Sequence, residues 1–273
     1  MVRQVMKRWE FESGYGWPII KAKRPQAISI GFEWEVQKVD HWDTTLSDIE
    51  ADFECATDAL ADAFTQDFVS MYKFQVHGEC GSTEFASPAS HNLETTKALA
   101  RKLLARVYKD RLLSPDYSDE NGIHVHTGFE GSYRDYSRVL TKVGLMINRE
   151  SSSDFLWNFS GRENCNHADY IEQGEATCWD YYNLDTDEAM EEILNKEIIR
   201  ENEFSGKRTI EYRMFNGTAD RLLPAIEFSH ACTKFCAMHK GDEPPYLVEF
   251  KNWLMKQRGY KLLKMQPEWI YVK

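Results

Sequence analysis

Between Ile28 and Gln37 the chain alternates with a period of two, and no other stretch restricts its folding as tightly. Ile28, Ile30, Phe32, Trp34 and Val36 fall on one side, and Ser29, Gly31, Glu33, Glu35 and Gln37 on the other. Such alternation predicts a half-buried strand, because successive side chains of a strand point to opposite faces. Two neighbouring carboxylates on one face, roughly 7 Å apart, repel unless something positive stands in front of them. The glycine beside them leaves the backbone open to close approach.

Three later stretches repeat the pattern. Tyr72 to Gly78 alternates, Glu79-Cys80-Gly81-Ser82 turns, and Thr83-Glu84-Phe85-Ala86 runs back to Ser87-Pro88, which predicts a hairpin with Glu79 and Glu84 flanking its turn. Asn121-Gly122-Ile123-His124-Val125-His126-Thr127-Gly128 puts His124 and His126 on one face and Ile123, Val125 and Thr127 on the other. Neutral imidazole suits a metal and protonated imidazole a phosphate. Lys207 to Phe215 places Thr209, Glu211 and Arg213 together, opposite Ile210, Tyr212 and Met214. A Glu and an Arg two apart on a strand can hold a metal and a phosphate side by side, or form a surface ion pair worth little.

Helical spacing fills the intervals. Ile49, Phe53, Ala56, Leu60 and Phe64 predict an amphipathic helix over 48–65 with Ser47 as cap. A core-packing helix is expected from Ser90 to Leu113, with Lys and Arg opposite its apolar stripe, and then a loop from Ser114 to Gly122. Another helix is expected over 132–150, capped by Ser132. Residues 151–185 are polar and rich in Ser, Asn, Asp and Trp; a stretch of that length is usually functional or mobile, and its Arg162 is a candidate substrate contact. Asp185 to Glu203 reads as a mostly acidic, partly helical solvated face. After the turn at Asn216-Gly217-Thr218, Asp220 opens a helix to about His239 with Pro224 in its first turn, and a final helix runs from about Tyr246 to Gln257.

Composition narrows the function. The 273 residues carry a net charge of −11, from 33 Lys+Arg against 44 Asp+Glu, which argues against a broad basic nucleic-acid surface or attachment to an anionic membrane. No apolar run reaches membrane-spanning length, and Met1 to Glu10 lacks the apolar core of a secretion signal, so a soluble, cytoplasmic protein is expected. Six scattered cysteines without a CxxC pair are then expected to be reduced thiols; Cys232 and Cys236, one helical turn apart, have no second ligand pair nearby. No internal repeat or linker divides the chain, so residues 1–273 are taken as one domain with its core at about 28–240.

Together the four strands predict an α+β fold: a curved antiparallel sheet with helices packed on one face and an acidic, metal-ready concavity on the other. The carboxylates and imidazoles exceed the needs of one divalent ion and suit two or more Mg²⁺ or Mn²⁺. No Walker or Rossmann glycine pattern is present, so a nucleotide would be held by metals and arginines.

Four segments then match a known family in order. They are Gly31-Phe32-Glu33-Trp34-Glu35; Glu79 to Pro88 with Glu84-Phe85-Ala86-Ser87-Pro88; Asn121 to His126; and Arg208-Thr209-Ile210-Glu211-Tyr212-Arg213-Met214-Phe215-Asn216-Gly217-Thr218. The chain resembles the amidoligases of phages and bacteria in the glutamine synthetase and glutamate–cysteine ligase superfamily. The resemblance implies a fold like the glutamine synthetase catalytic domain. It also implies an ATP-dependent carboxylate–amine ligase working through an acyl phosphate.

Carried over by position, Glu33, His124 and Glu211 would hold the metal that bridges the ATP phosphates. Glu35, Glu84 and Glu79 would hold a second metal nearer the substrate. His126 and Arg213 would lie by the phosphates, and Arg208 and Arg162 would clamp a phosphate or carboxylate. The implied partners are small-molecule or peptide acids and amines, of identity unspecified, and the motifs leave oligomer formation open. Two alternatives use the same sheet: a catalytically silent binding or structural relative, and another metal-dependent phosphoryl-transfer enzyme.

Overall fold

A computed structural model describes residues 9–10, 19–20, 28–38, 68, 70–79, 82–109, 113–114, 121–128, 133–148, 159–161, 199–204, 207–240 and 243–266. Ten strands among them form one sheet: β1 (Trp9–Glu10), β2 (Ile19–Ile20), β3 (Ser29–Lys38), β4 (Gln75–Glu79), β5 (Ser82–Ala86), β6 (Ala89–Ser90), β7 (Leu113–Ser114), β8 (Gly122–Gly128), β9 (Ile199–Phe204) and β10 (Lys207–Asn216). Among the described residues a helical turn at Ser70–Tyr72 and five longer helices accompany it: α1 (Leu93–Val107), α2 (Tyr133–Asn148), α3 (Ala219–Met238), α4 (Leu247–Lys256) and α5 (Lys261–Lys264). The fold is α+β. The sheet is antiparallel apart from the two-residue pairing of β2 with β6.

β3 is the spine, paired along both edges. Glu33 stands opposite Ala86 of β5 on one side and opposite His124 of β8 on the other. β10 continues outward from β8, and β9 from β10. Because the alternation of β3 holds, Ile30, Phe32, Trp34 and Val36 are buried under the helices while Glu33 and Glu35 stay half-buried on the opposite face. α3 lies across the apolar face against β3, β8 and β10 and touches α1, α2, α4 and α5, which explains why it is apolar nearly all round.

Polar bonds fix this packing at defined points. The Trp34 indole N–H donates to the Gly217 carbonyl at 2.6 Å, and the Gly217 N–H to the Asn121 carbonyl at 2.8 Å. A Cβ on Gly217 would come within 2.9 Å of Asn121, so the end of β10 can close on β8 only with glycine there. Beneath β8, the Thr233 hydroxyl of α3 meets those of Thr127 and Tyr212, both at 2.7 Å.

Several expectations need correction. α1 starts at Leu93, not Ser90, because the Asn92 side chain accepts from the N–H groups of Glu94 and Thr95; Ser90 and Leu113 belong to strands. Lys97 of α1 does not face solvent but is buried with its ammonium 2.5 Å from the fully buried Glu227. Tyr72 belongs to a helical turn, Ser70–Tyr72, and the strand begins at Gln75. Gly122 opens β8 rather than ending a loop. Ile199–Phe204, read as part of an acidic helical face, pairs with β10; a polar edge strand lacks the apolar alternation that marks a half-buried one. Pro224 lies in the second turn of α3, since the helix already begins at Ala219. The helix expected over 48–65 falls outside the described residues, as do residues 151–185 apart from Phe159–Gly161.

Cys232 and Cys236 are buried in α3, and that burial pushes both thiols far above their ordinary range, away from the thiolate a metal requires. The other four cysteines lie outside the described residues. Among the described residues no helix is long and apolar enough to cross a membrane.

α5 is tied to α3 by two polar contacts. Glu227 accepts from the Leu263 N–H at 2.8 Å, and His230 Nδ1 lies 2.9 Å from the Tyr260 hydroxyl. Burial, with Lys234 adding to it, lowers the His230 pKa from 6.5 to about 4. The folded chain therefore resists protonating this ring, so its contribution to stability is complete above 6.5 and is lost as pH falls towards 4. Urea unfolding from neutral pH down to 4 should show an acid-side loss of about 3 kcal/mol from this group, and His230→Gln should flatten that limb. An unchanged slope in the variant would show that another group carries the loss.

Candidate metal centre

The register of β3, β8 and β10 converts sequence phase into a cluster. Gly31, Glu33 and Glu35 share a face of β3 with His124 and His126 of β8, and His126 stands directly opposite Glu211 of β10. The pairing of β8 with β10 shifts between Tyr212 and Phe215, so a bulge sits beside the cluster, where bulges commonly re-aim a side chain. It also turns Phe215 to the apolar side, against Phe159 and Phe228, where strict alternation would have placed it with Glu211 and Arg213.

Glu33 is the hub. One carboxylate oxygen, Oε2, lies 3.2 Å from His124 Nδ1, and the other, Oε1, lies 3.3 Å from His126 Nε2. Glu211, fully buried, has Oε1 3.8 Å from His124 Nδ1 and accepts from Arg213 Nη1 at 3.0 Å. Glu35 Oε2 accepts from the Gly122 N–H at 2.6 Å, while its Oε1 lies 3.9 Å from His124 Nε2. His126 Nδ1 is 3.5 Å from the Thr209 hydroxyl. Glu84 of β5 stands directly opposite Glu35. Burial alone would raise the Glu33 pKa, but the charges and hydrogen bonds of His126 and His124 outweigh it and hold the carboxyl well below its ordinary range.

These donors fit a hard or borderline divalent cation. Ligand atoms of Glu33, His126 and Glu211 lie within 4.8 Å of one another, and so do those of Glu33, Glu84 and His124. Four carboxylates converge on two imidazoles and one guanidinium, and two of them, Glu35 and Glu84, oppose each other across neighbouring strands. Like charges in that position destabilise a sheet unless a cation joins them.

The sequence-derived candidates are thus distributed as follows. Glu33, Glu35, Glu84, His124, His126, Glu211 and Arg213 come together on one face. Glu79 ends β4 opposite Ser82, in step with Glu84 along the hairpin. Arg208 stands opposite Glu203, one residue out of phase with Thr209, Glu211 and Arg213. Arg162 lies outside the described residues.

Three further contributors were not evident from sequence. The Gly122 N–H anchors Glu35 across 87 residues of chain, which no local pattern announces. Asn216 Nδ2 donates to the Gly161 carbonyl at 2.8 Å, at a point where Gly161 has φ +66°, which pins Phe159–Gly161 to the end of β10. His77, exposed on β4, stands opposite Glu84, and its phase with Glu79 was the signal available for it.

No family model and no curated protein sequence matches the chain. Among solved structures it is similar to one described as a novel glutamine synthase homolog, at 10% identity and TM-score 0.37, over 88% of this chain and 64% of that one. It is also similar to the complex between Prokaryotic Ubiquitin-like Protein Pup and its Ligase PafA, at 12% identity and TM-score 0.34, over 77% of this chain and 46% of that one. The chain therefore spans less than two thirds of either. Likeness this loose assigns no residue a role, and the site stands on its own geometry.

Glu84→Gln removes one of two facing carboxylates. In the presence of a chelator it should leave the protein as stable as the unsubstituted chain or more stable, by up to about 1 kcal/mol, and Mn²⁺ should add less stability than it does to the unsubstituted protein. Thermal melts with chelator and with Mn²⁺ measure both; a variant less stable in chelator would show that Glu84 is a structural partner instead.

Proposed function

We propose that the chain is an ATP-dependent carboxylate–amine ligase whose sheet face holds two divalent cations, Mg²⁺ or Mn²⁺, and the triphosphate. One observation carries the reading: Glu33, Glu211, His124 and His126, drawn from three strands, converge within 4 Å contacts on a largely buried face, with Arg213 alongside. The order and strand phase of the four amidoligase-like segments support the same class.

Bound cations would neutralise the triphosphate and polarise the phosphoryl group in transfer. The chain's own residues do the rest. Glu33 and Glu211 present carboxylate oxygens to the site, and the two imidazoles hold the Glu33 carboxyl well below its ordinary range. Arg213, 14% exposed and braced on Glu211, sets a guanidinium charge beside the place where the γ-phosphate would lie. The half-buried face limits water around the phosphoryl group, which favours attack by a positioned acid.

In the reaction, a substrate carboxylate oxygen attacks the γ-phosphorus and the bond to the β-phosphate oxygen breaks, leaving an acyl phosphate and ADP. The amine nitrogen then attacks the acyl carbon, loses a proton and expels inorganic phosphate, which leaves an amide. The substrates are a small-molecule or peptide acid and an amine.

ADP release by the full chain should require Mg²⁺ or Mn²⁺ and should rise when a suitable amine is supplied with its acid. Glu33→Gln and Glu211→Gln should each lower that turnover at least ~100-fold while circular dichroism stays unchanged, the loss of one ion ligand being worth several kcal/mol of transition-state charge stabilisation. Undiminished ADP release in both variants would refute the assignment. Metal-dependent release indifferent to any amine would point to simple phosphoryl transfer.

A further inference from the structure

The contacts of Glu33 separate its two oxygens. Oε2 addresses His124 Nδ1 and Oε1 addresses His126 Nε2, and Glu33 is the member shared by both sets of converging donors. The second nitrogen of His126, Nδ1, lies 3.5 Å from the Thr209 hydroxyl, while His124 Nε2 has the Glu35 carboxylate 3.9 Å away, within charge range but beyond a hydrogen bond. A ring with one nitrogen towards the ion site and the other bonded to a hydroxyl is the arrangement that sets a metal-ligating histidine in one tautomer and orientation, and His126 has it.

We infer that Glu33 bridges two cations through its separate oxygens, that His124 and His126 each ligate one of them, and that the site therefore selects a first-row transition ion such as Mn²⁺ over Mg²⁺. This rests on the reading above that the face holds divalent cations, and it changes one role within that reading: His126 becomes a metal ligand in place of a phosphate contact. The chemistry gives the selectivity. Mg²⁺ favours oxygen donors and sheds water reluctantly, whereas Mn²⁺ and heavier ions accept imidazole beside carboxylate. One imidazole in each donor set costs Mg²⁺ affinity at both positions. The second set draws its remaining carboxylate from Glu84, and the first from Glu211.

The test uses the full chain with metal alone, so that its outcome is separate from ligase activity. Calorimetry with MnCl₂ and MgCl₂ should show two Mn²⁺ bound per chain, with Mg²⁺ at least ~10-fold weaker. At saturation, electron paramagnetic resonance should show the broadened signal of an exchange-coupled Mn²⁺ pair, since carboxylate-bridged ions lie about 3.5–4 Å apart. Glu33→Gln should abolish the coupling while Mn²⁺ still binds. Thr209→Val, which leaves every ligand in place, should weaken Mn²⁺ about 10-fold with little change for Mg²⁺. Equal affinity for the two ions, or two Mn²⁺ bound without coupling, would overturn the inference. An absence of ADP release with any metal would instead overturn the ligase reading and leave the coupled pair standing.

Discussion

The alternation of β3 is the constraint from which both halves of the molecule follow. One face of that strand buries Phe32 and Trp34 completely, and the other presents Glu33 and Glu35. A slip of one residue in its pairing would put two carboxylates into the core and two aromatic rings on the site, so register is enforced by hydrophobic burial on one side and by charge on the other. Pairing along both edges spreads that enforced register to β5 and β8, and through β8 to β10. The site is thus assembled by the same interactions that build the core. Its ligands sit on strands rather than loops, which gives them little positional freedom.

Electrostatics then decides what that face can be for. The sheet concentrates carboxylates where ordinary pairing would separate them, and the protein sets positive and donor groups among them. Two imidazoles serve Glu33, a guanidinium serves Glu211, and a backbone N–H serves Glu35. Each of those partners is also a group of a type that can bind or orient an ion or a phosphate. The resulting balance of charge fits a ligand richer in positive charge than the protein itself.

The strand phases were legible in the sequence because period-two alternation is a local signal, and Glu33, His124, His126 and Glu211 could be placed on one face from it. Features that depend on distant partners were not. Lys97 reads as a solvent-facing residue of an amphipathic helix, and only the folding of α3 brings Glu227 to it. Phe215 reads as a neighbour of Arg213 until the bulge before it reverses the phase. Ile199–Phe204 is polar at most positions and shows itself as a strand only by pairing with β10. Glu35 reads as a ligand equal to Glu33, whereas one of its oxygens is bonded to the backbone N–H of Gly122, 87 residues away.

A comparison within the molecule separates structural burial of a carboxylate from functional burial. Glu227 is fully buried behind the sheet, with one oxygen on the Lys97 ammonium and the other on the Leu263 N–H. Its charge is matched, its acceptors are used, and it ties three helices together. On the opposite face, Glu33 shares its oxygens between two titratable rings, and Glu35 and Glu84 face each other across neighbouring strands. A fold that needed those side chains only for stability would have gained by replacing them, since well-packed apolar groups usually match or exceed buried ion pairs. Facing carboxylates on a rigid sheet make physical sense where a cation completes the site, and the imidazoles turned towards Glu33 supply the nitrogen donors of the proposed one.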